Sequence, residues 1–246
     1  ICAGVTAGVA VLFCSPLAGW LFAMEVIARK INKQLVIACT ASALVSWLFI
    51  FLFDNKTLLS NTIVGWNWSA VPFFIVLSLL GGILAVYFTL LVTRMKRLFS
   101  NISNNFLRVN IGAIAVGLLI YFFPSLYGDS YHGLKEVVTE PLTIPNISLL
   151  FLLSIAVLKP LASSLTLGAG GDGGVFAPSL FLGAFLGLFV ALVLNLFFDA
   201  QVIPLNFMIL GMAATLSASI HAPFTALFLV CAIINDYTLF FPILLI

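Results

Sequence analysis

Gly168-Ala169-Gly170-Gly171-Asp172-Gly173-Gly174-Val175-Phe176-Ala177-Pro178-Ser179-Leu180-Phe181 packs five glycines into a short loop and then runs into an apolar segment. Proline is tolerated in a first helical turn, because the amide it lacks has no intrahelical partner there. The spacing therefore predicts a helix that begins between Phe176 and Pro178. Such a start leaves amides unpaired and carries roughly half a positive charge from the helix dipole. The glycines let backbone come close to whatever sits at that end. Inside a bilayer, such a terminus is a site for a small anion.

The composition places it inside a bilayer. The chain is 63% hydrophobic and 7% charged, with a mean hydropathy of +1.26. A soluble domain of this length carries about a quarter charged residues. The expected class is an all-α polytopic membrane protein, with one membrane domain and no polar block long enough for a soluble one. A net charge of +2 is too small to suggest nucleic acid as a partner. Cys2, Cys14, Cys39 and Cys231 lie in or beside apolar stretches without a CxxC pair, and read as small core residues. The chain opens on Ile1 without a basic n-region, so no signal peptide is expected, and the reading is of a piece that begins inside a larger membrane domain.

Residues 4–27 are apolar but interrupted at Ser15-Pro16, which predicts two short helices. Spans are expected at 34–53, 71–93, 109–123, 147–167, 175–198 and 204–220, since about 20 residues cross the hydrocarbon. His221-Ala222-Pro223 breaks the last of these, and an apolar stretch continues to Ile246. The loops at 28–33 and 94–108 carry seven Lys or Arg and no acid. Those at 54–69 and 125–146 carry two Lys and four acids. The positive-inside rule puts the first pair in the cytoplasm and the second outside, and the crossings between them alternate as that requires. Trp66 and Trp68 suit an interface.

A weak internal repeat supports a transporter. A shift of 207 residues places Gly4, Ala7 and Pro16 on Gly211, Ala214 and Pro223. Both segments are rich in small residues and break at a proline. Paired, interrupted segments point to a repeat-built transporter with its site at the breaks.

These residues resemble the CLC family of chloride channels and proton/chloride antiporters. Gly174-Val175-Phe176-Ala177-Pro178 fits the family's GxFxP signature. Ser15-Pro16-Leu17-Ala18-Gly19-Trp20-Leu21-Phe22-Ala23-Met24-Glu25 resembles the helix pair after its GREGP motif, and the segment around Pro223 resembles the inverted counterpart. The resemblance implies a CLC-type inverted repeat of tilted, broken helices: residues 1–53 ending the first half, 54–70 an extracellular linker, and 71–246 the second half, truncated at its end. It places the GSGxP and GREGP segments, with the gating glutamate, before Ile1, and the central tyrosine beyond Ile246.

By that resemblance, the amides of Val175 and Phe176 with Gly174 coordinate the anion, and Gly173, Ala177, Pro178 and Lys159 support the pore. Backbone donors solvate chloride without a fixed charge that would hold it too tightly. The resemblance further implies a homodimer in the plasma (inner) membrane with one pore per subunit, its interface formed around 16–53 and 223–246. In the antiporters a second acid relays protons. Aligned from Pro16 that position falls on Val26, as in passive channels, with Glu25 just before it as the remaining relay candidate. An aliphatic side chain carries no proton. Passive conduction is the leading mechanism and proton-coupled exchange the alternative.

Several residues have plainer readings. Glu25 can instead pair with Arg29, four residues on. Asp172 either points away from the anion, pairs with a base such as Lys159, is protonated, or caps the helix start. Lys159 lies in an apolar run, at an insertion cost of about 2.5–3.5 kcal/mol, so it lines a watery vestibule or snorkels to an interface. Ser163, Ser164 and Thr166 bond locally or face the pore. His132 and His221 have no partner at metal or catalytic spacing, so no metal or cofactor is expected. No Gly-Lys-Ser/Thr follows the glycines, against a nucleotide loop. The acids within or bordering apolar runs, Glu25, Asp172, Asp199 and Asp236, are scattered, against an intramembrane enzyme. A cation-coupled carboxylate transporter also uses broken helices, but would more often present polar or acidic residues to its cation.

Overall fold

The computed structural model describes residues 1–28, 30–53, 63, 65–127, 149–171 and 173–246. Among these the secondary structure is helical, without a strand. The helices are α1 (Cys2–Leu12), α2 (Pro16–Phe22, continued by a π-turn over Ala23–Ile27), α3 (Lys33–Phe53), α4 (Val71–Ser100), α5 (Asn105–Phe122), α6 (Leu149–Ala169), α7 (Phe176–Phe197), α8 (Pro204–Ile220), α9 (Pro223–Ile234) and α10 (Phe240–Leu244). Five are long and apolar enough to cross a membrane, namely α3 to α7, with the turn Trp68–Ala70 leading into α4. The protein is an integral, multi-pass membrane protein.

The expected spans stand close to where the sequence puts them. The main difference is α4, which continues seven residues past 93 to Ser100. Arg94, Lys96 and Arg97 are good helix formers, so the charge that ends the hydrophobic run does not end the helix. Most of the expected linker and of the loop 125–146 lies outside the described residues.

The two breaks have one backbone design. Cys14 and His221 adopt left-handed φ values of 51° and 54°. The next residues, Ser15 and Ala222, are extended, at φ −133°, ψ 90° and φ −137°, ψ 79°. Each donates its amide five residues back, Ser15 to Ala10 O at 2.9 Å and Ala222 to Ser217 O at 3.3 Å. That is a Schellman ending, and a proline then opens the next helix. Every one of these positions is related by the shift of 207 residues, so the repeat lies in the backbone as well as in the sequence. The Gly4–Gly211 match carries no shared packing: Gly4 has open space beside it, whereas Gly211 abuts α7.

The core is α7 against α8, the most extensive helix pair. A Cβ on Gly183 would strike the Gly211 carbonyl oxygen, and one on Gly187 the Phe207 carbonyl oxygen. Without a solvent to drive apolar helices together, such backbone-to-backbone approach supplies the dispersion contacts that hold them. Leu180, Leu188, Met208, Leu210 and Met212 fill in around it, all buried. By contrast, α3 and α5 carry exposed apolar faces, among them Trp47, Phe49, Phe106 and Tyr121, as expected of helices turned to lipid or to another subunit.

The stretch before α4 is tied to this core. Asn206 donates its amide to Gly65 O at 2.7 Å, the Ile63 amide donates to Asp236 at 3.4 Å, and Trp66 stacks on Phe241 at 6.1 Å.

Candidate functional site

The glycine run ends where α7 begins. Val175 is the N-cap residue, at φ −83°, ψ −11°, and no side chain caps the helix. Among the described residues the amides of Gly174, Val175, Phe176 and Ala177 donate to no protein acceptor. Pro178 has no N–H, so these are the donors that the helix start offers. Gly173 and Gly174 are exposed, and Val175 and Phe176 are half-buried. A Cβ on Gly174 would lie 3.8 Å from the Phe176 nitrogen, so the bare glycine keeps that N–H approachable. The terminus thus presents several convergent backbone donors with the positive end of a 22-residue helix behind them.

The Phe176 side chain fixes the direction of that terminus. Its ring lies 6.0 Å from Phe13, stacked, and 4.9 Å from Phe22, edge-on. Phe13 closes α1 and Phe22 closes α2, so the start of α7 is clamped between the two helices that flank the first break. At that break Ser15 is buried, and its Oγ accepts the Ala18 amide at 3.3 Å, capping α2. Sequence reasoning missed this aromatic clamp, because Phe13 and Phe22 lie more than 150 residues from Phe176 in a chain with 24 phenylalanines.

Lys159 meets α7 at Phe181, a turn and a half beyond Phe176. It is buried, 4% exposed. Its Nζ donates to Leu126 O at 2.8 Å and stands 5.1 Å from the centroid of Phe181. Carbonyl and ring together offset part of the cost of burying the ammonium. Ser164 and Thr166 bond back to the carbonyls of Leu161 and Ala162.

Glu25 lies in the π-turn and reaches across to α9. Its carboxylate accepts the Phe224 amide at 3.4 Å, the Thr225 amide at 3.0 Å and the Thr225 hydroxyl at 2.8 Å. The cause is local. α9 begins after Ala222, which has no side-chain oxygen to do what Ser15 does for α2. A carboxylate from the other repeat segment fills that cap and meets the positive end of the helix dipole. Val26 is exposed beside it. Arg29, Asp172 and His132 lie outside the described residues. His221 serves the left-handed helix ending, and no cluster of three metal-ligating side chains occurs among the described residues.

Comparison with known proteins bears on the family and the fold. A family model described as voltage gated chloride channel matches residues 1–246. The chain is 32% identical over 246 residues to a voltage-gated ClC-type chloride channel, ClcB, of Shigella flexneri, covering 97% of this chain and 57% of that protein. It is 31% identical over 244 residues to ClcB of Escherichia coli O9:H4, with the same coverage. The chain thus spans a little over half the length of these relatives. Among solved structures, a CLC-type fluoride/proton antiporter superposes with a TM-score of 0.77 at 23% identity, over 98% of this chain and 59% of that one. A eukaryotic CLC transporter superposes with a TM-score of 0.76 at 20% identity, over 99% of this chain and 41% of that one.

Proposed function

This chain belongs to the voltage gated chloride channel family, the CLC family, and on that premise we propose that it carries one anion-coordinating segment of a pore that moves chloride or a similar small anion across the membrane. The observation that carries the reading is the start of α7. Its Val175 and Phe176 amides have no acceptor among the described residues, and glycines leave them approachable. Amide donors replace part of a halide's hydration shell while leaving it free to move on. Gly173, Gly174, Ala177 and Pro178 shape that terminus. Lys159 adds positive charge beside α7, at Phe181.

The mechanism we favour is passive conduction. Val26 stands where a relay acid is expected, and the Glu25 carboxylate is already engaged by three donors of α9. The names of the ClcB relatives agree with a channel. Proton-coupled exchange is the second reading. It is favoured by two structural neighbours, a CLC-type fluoride/proton antiporter and a slow cyanobacterial chloride/proton antiporter. Reversal potential under a pH gradient at fixed chloride separates them: passive conduction gives none of the shift that a coupled proton imposes. We further propose assembly as a homodimer in the inner membrane through the segments 16–53 and 223–246, in keeping with the exposed apolar residues Trp47, Phe51, Phe224 and Leu244.

A further inference from the structure

Arg108, on the first turn of α5, holds the residue from which the glycine run departs. Its Nε donates to the Ala169 carbonyl at 3.2 Å, and its Nη2 donates to Asn105 Oδ1 at 2.6 Å. Ala169 is the last residue of α6, at the negative end of that helix dipole, where a cation is stabilising. One turn further along α5, a Cβ on Gly112 would collide with the Ala169 methyl. Ala169 is therefore gripped by α5 twice, through its methyl group and through its carbonyl.

The chain leaves this grip through Gly170, at φ +105°, a conformation that favours glycine. A Cβ there would lie 3.2 Å from Arg108 Nη2, and the next amide, Gly171, turns back to Thr166 O at 2.9 Å. Beyond it, Gly173 and Gly174 have loose surroundings. Glycines have the greatest conformational freedom to lose, so a run of them keeps one path only if both ends are held: the far end is held by Phe176 between Phe13 and Phe22, the near end by the grip on Ala169. Membrane topology accounts for a base in this loop, since positive loops stay in the cytoplasm. It does not account for this geometry: a topological arginine extends into water, whereas Arg108 is half-buried and folded onto backbone. No carboxylate among the described residues pairs with it.

We propose that Arg108 is a positioning residue for the anion site: it sets where the glycine run leaves α6 and, with Phe176 held at the other end, how Gly173 and Gly174 stand beside the Val175 and Phe176 amides. This rests on the anion-site reading above. The planar guanidinium makes the role specific to arginine, because its fork reaches Ala169 O and Asn105 Oδ1 together, while a lysine ammonium is a point charge on a flexible stem.

The test measures chloride binding by calorimetry and the chloride-to-nitrate permeability ratio in liposomes, on the intact protein. Arg108→Lys and Arg108→Gln are each expected to weaken chloride binding about three- to tenfold, the scale of one ordinary hydrogen bond, because the effect on the anion is indirect, and to change the ratio. Wild-type values in Arg108→Lys overturn the proposal, because charge alone then suffices. If both variants fail to fold, Asn105→Ala decides. It removes only the Nη2 partner from an exposed position, and a smaller shift in the same direction is expected, while unchanged binding overturns the proposal. Val175→Pro is the control for the underlying reading. Intact chloride binding in Val175→Pro removes the anion site itself, whereas lost binding there with normal binding in Arg108→Lys removes only the role of Arg108.

Discussion

Glu25 and Thr225 are joined through one carboxylate oxygen, which accepts the Thr225 amide at 3.0 Å and the Thr225 hydroxyl at 2.8 Å. Two hundred residues separate them in the chain. Thr225 is fully buried, in the first turn of a helix whose own N-cap residue is alanine. Glu25→Ala leaves that turn without its cap, and is expected to lower stability by about 1–3 kcal/mol. Ala222→Ser in the same chain supplies a local oxygen and should restore part of the loss. Thermal unfolding of the single and double variants checks this; additive losses in the double variant would remove the capping account.

Val175→Pro is compatible with the observed φ of −83° and deletes one unpartnered N–H. The fold should therefore survive, while anion flux drops at least about tenfold, the scale of losing one preorganised donor. Phe176→Pro deletes the neighbouring donor and should act in the same direction, but it also removes the ring held by Phe13 and Phe22. A chloride-efflux assay in liposomes measures both. Unchanged flux in well-folded Val175→Pro would take the site away from α7.

Gly183→Ala forces a methyl group into the Gly211 carbonyl, and α7 or α8 must shift to admit it. A destabilisation of about 1–3 kcal/mol or more is expected, with a matching fall in yield of folded protein. Gly82→Ala is the contrast. Nothing lies within 4 Å of a Cβ there, so the substitution should be neutral or slightly stabilising. Equal effects at the two sites, measured by thermal unfolding in detergent, would mean that the α7–α8 approach is not what tolerates no side chain.

Asp236 sits in the turn after α9 and accepts from Thr238 through its hydroxyl at 2.6 Å and its amide at 2.8 Å, and from the Ile63 amide at 3.4 Å. The Thr238 hydroxyl, then the Thr238 amide, hold its carboxyl below the ordinary value of 3.8. A depressed carboxylate pKa contributes stability that is complete above the unfolded value and is lost as pH falls through the folded one. Asp236→Asn should therefore be less stable than the parent by a constant amount between about pH 5 and 8, with the difference closing only in strong acid, below the usual carboxylate range. Unfolding curves across that range test the sign.

The class of this protein was legible without coordinates, because apolar runs of about 20 residues and loop charge asymmetry are local properties that the bilayer enforces. The start of α7 was legible for the same reason: glycines followed by Phe176-Ala177-Pro178 leave few other conformations open. The repeat was visible only faintly in three residues. It became plain in the left-handed angles of Cys14 and His221, which no residue type announces, since neither is glycine. The close approach of Gly183 and Gly187 to α8 came only from the structure.

Tertiary structure alone decided what is distant in the chain. Phe176 between Phe13 and Phe22, Lys159 on Leu126 O, Arg108 on Ala169 O and Glu25 on Thr225 all join residues more than 30 positions apart. A sequence fixes which groups need partners: a helix without a cap, a cation in an apolar run, a carbonyl at a helix end. Which partner answers depends on how the helices are stacked, and in lipid that stacking is set by backbone-to-backbone fit rather than by any single residue's preference.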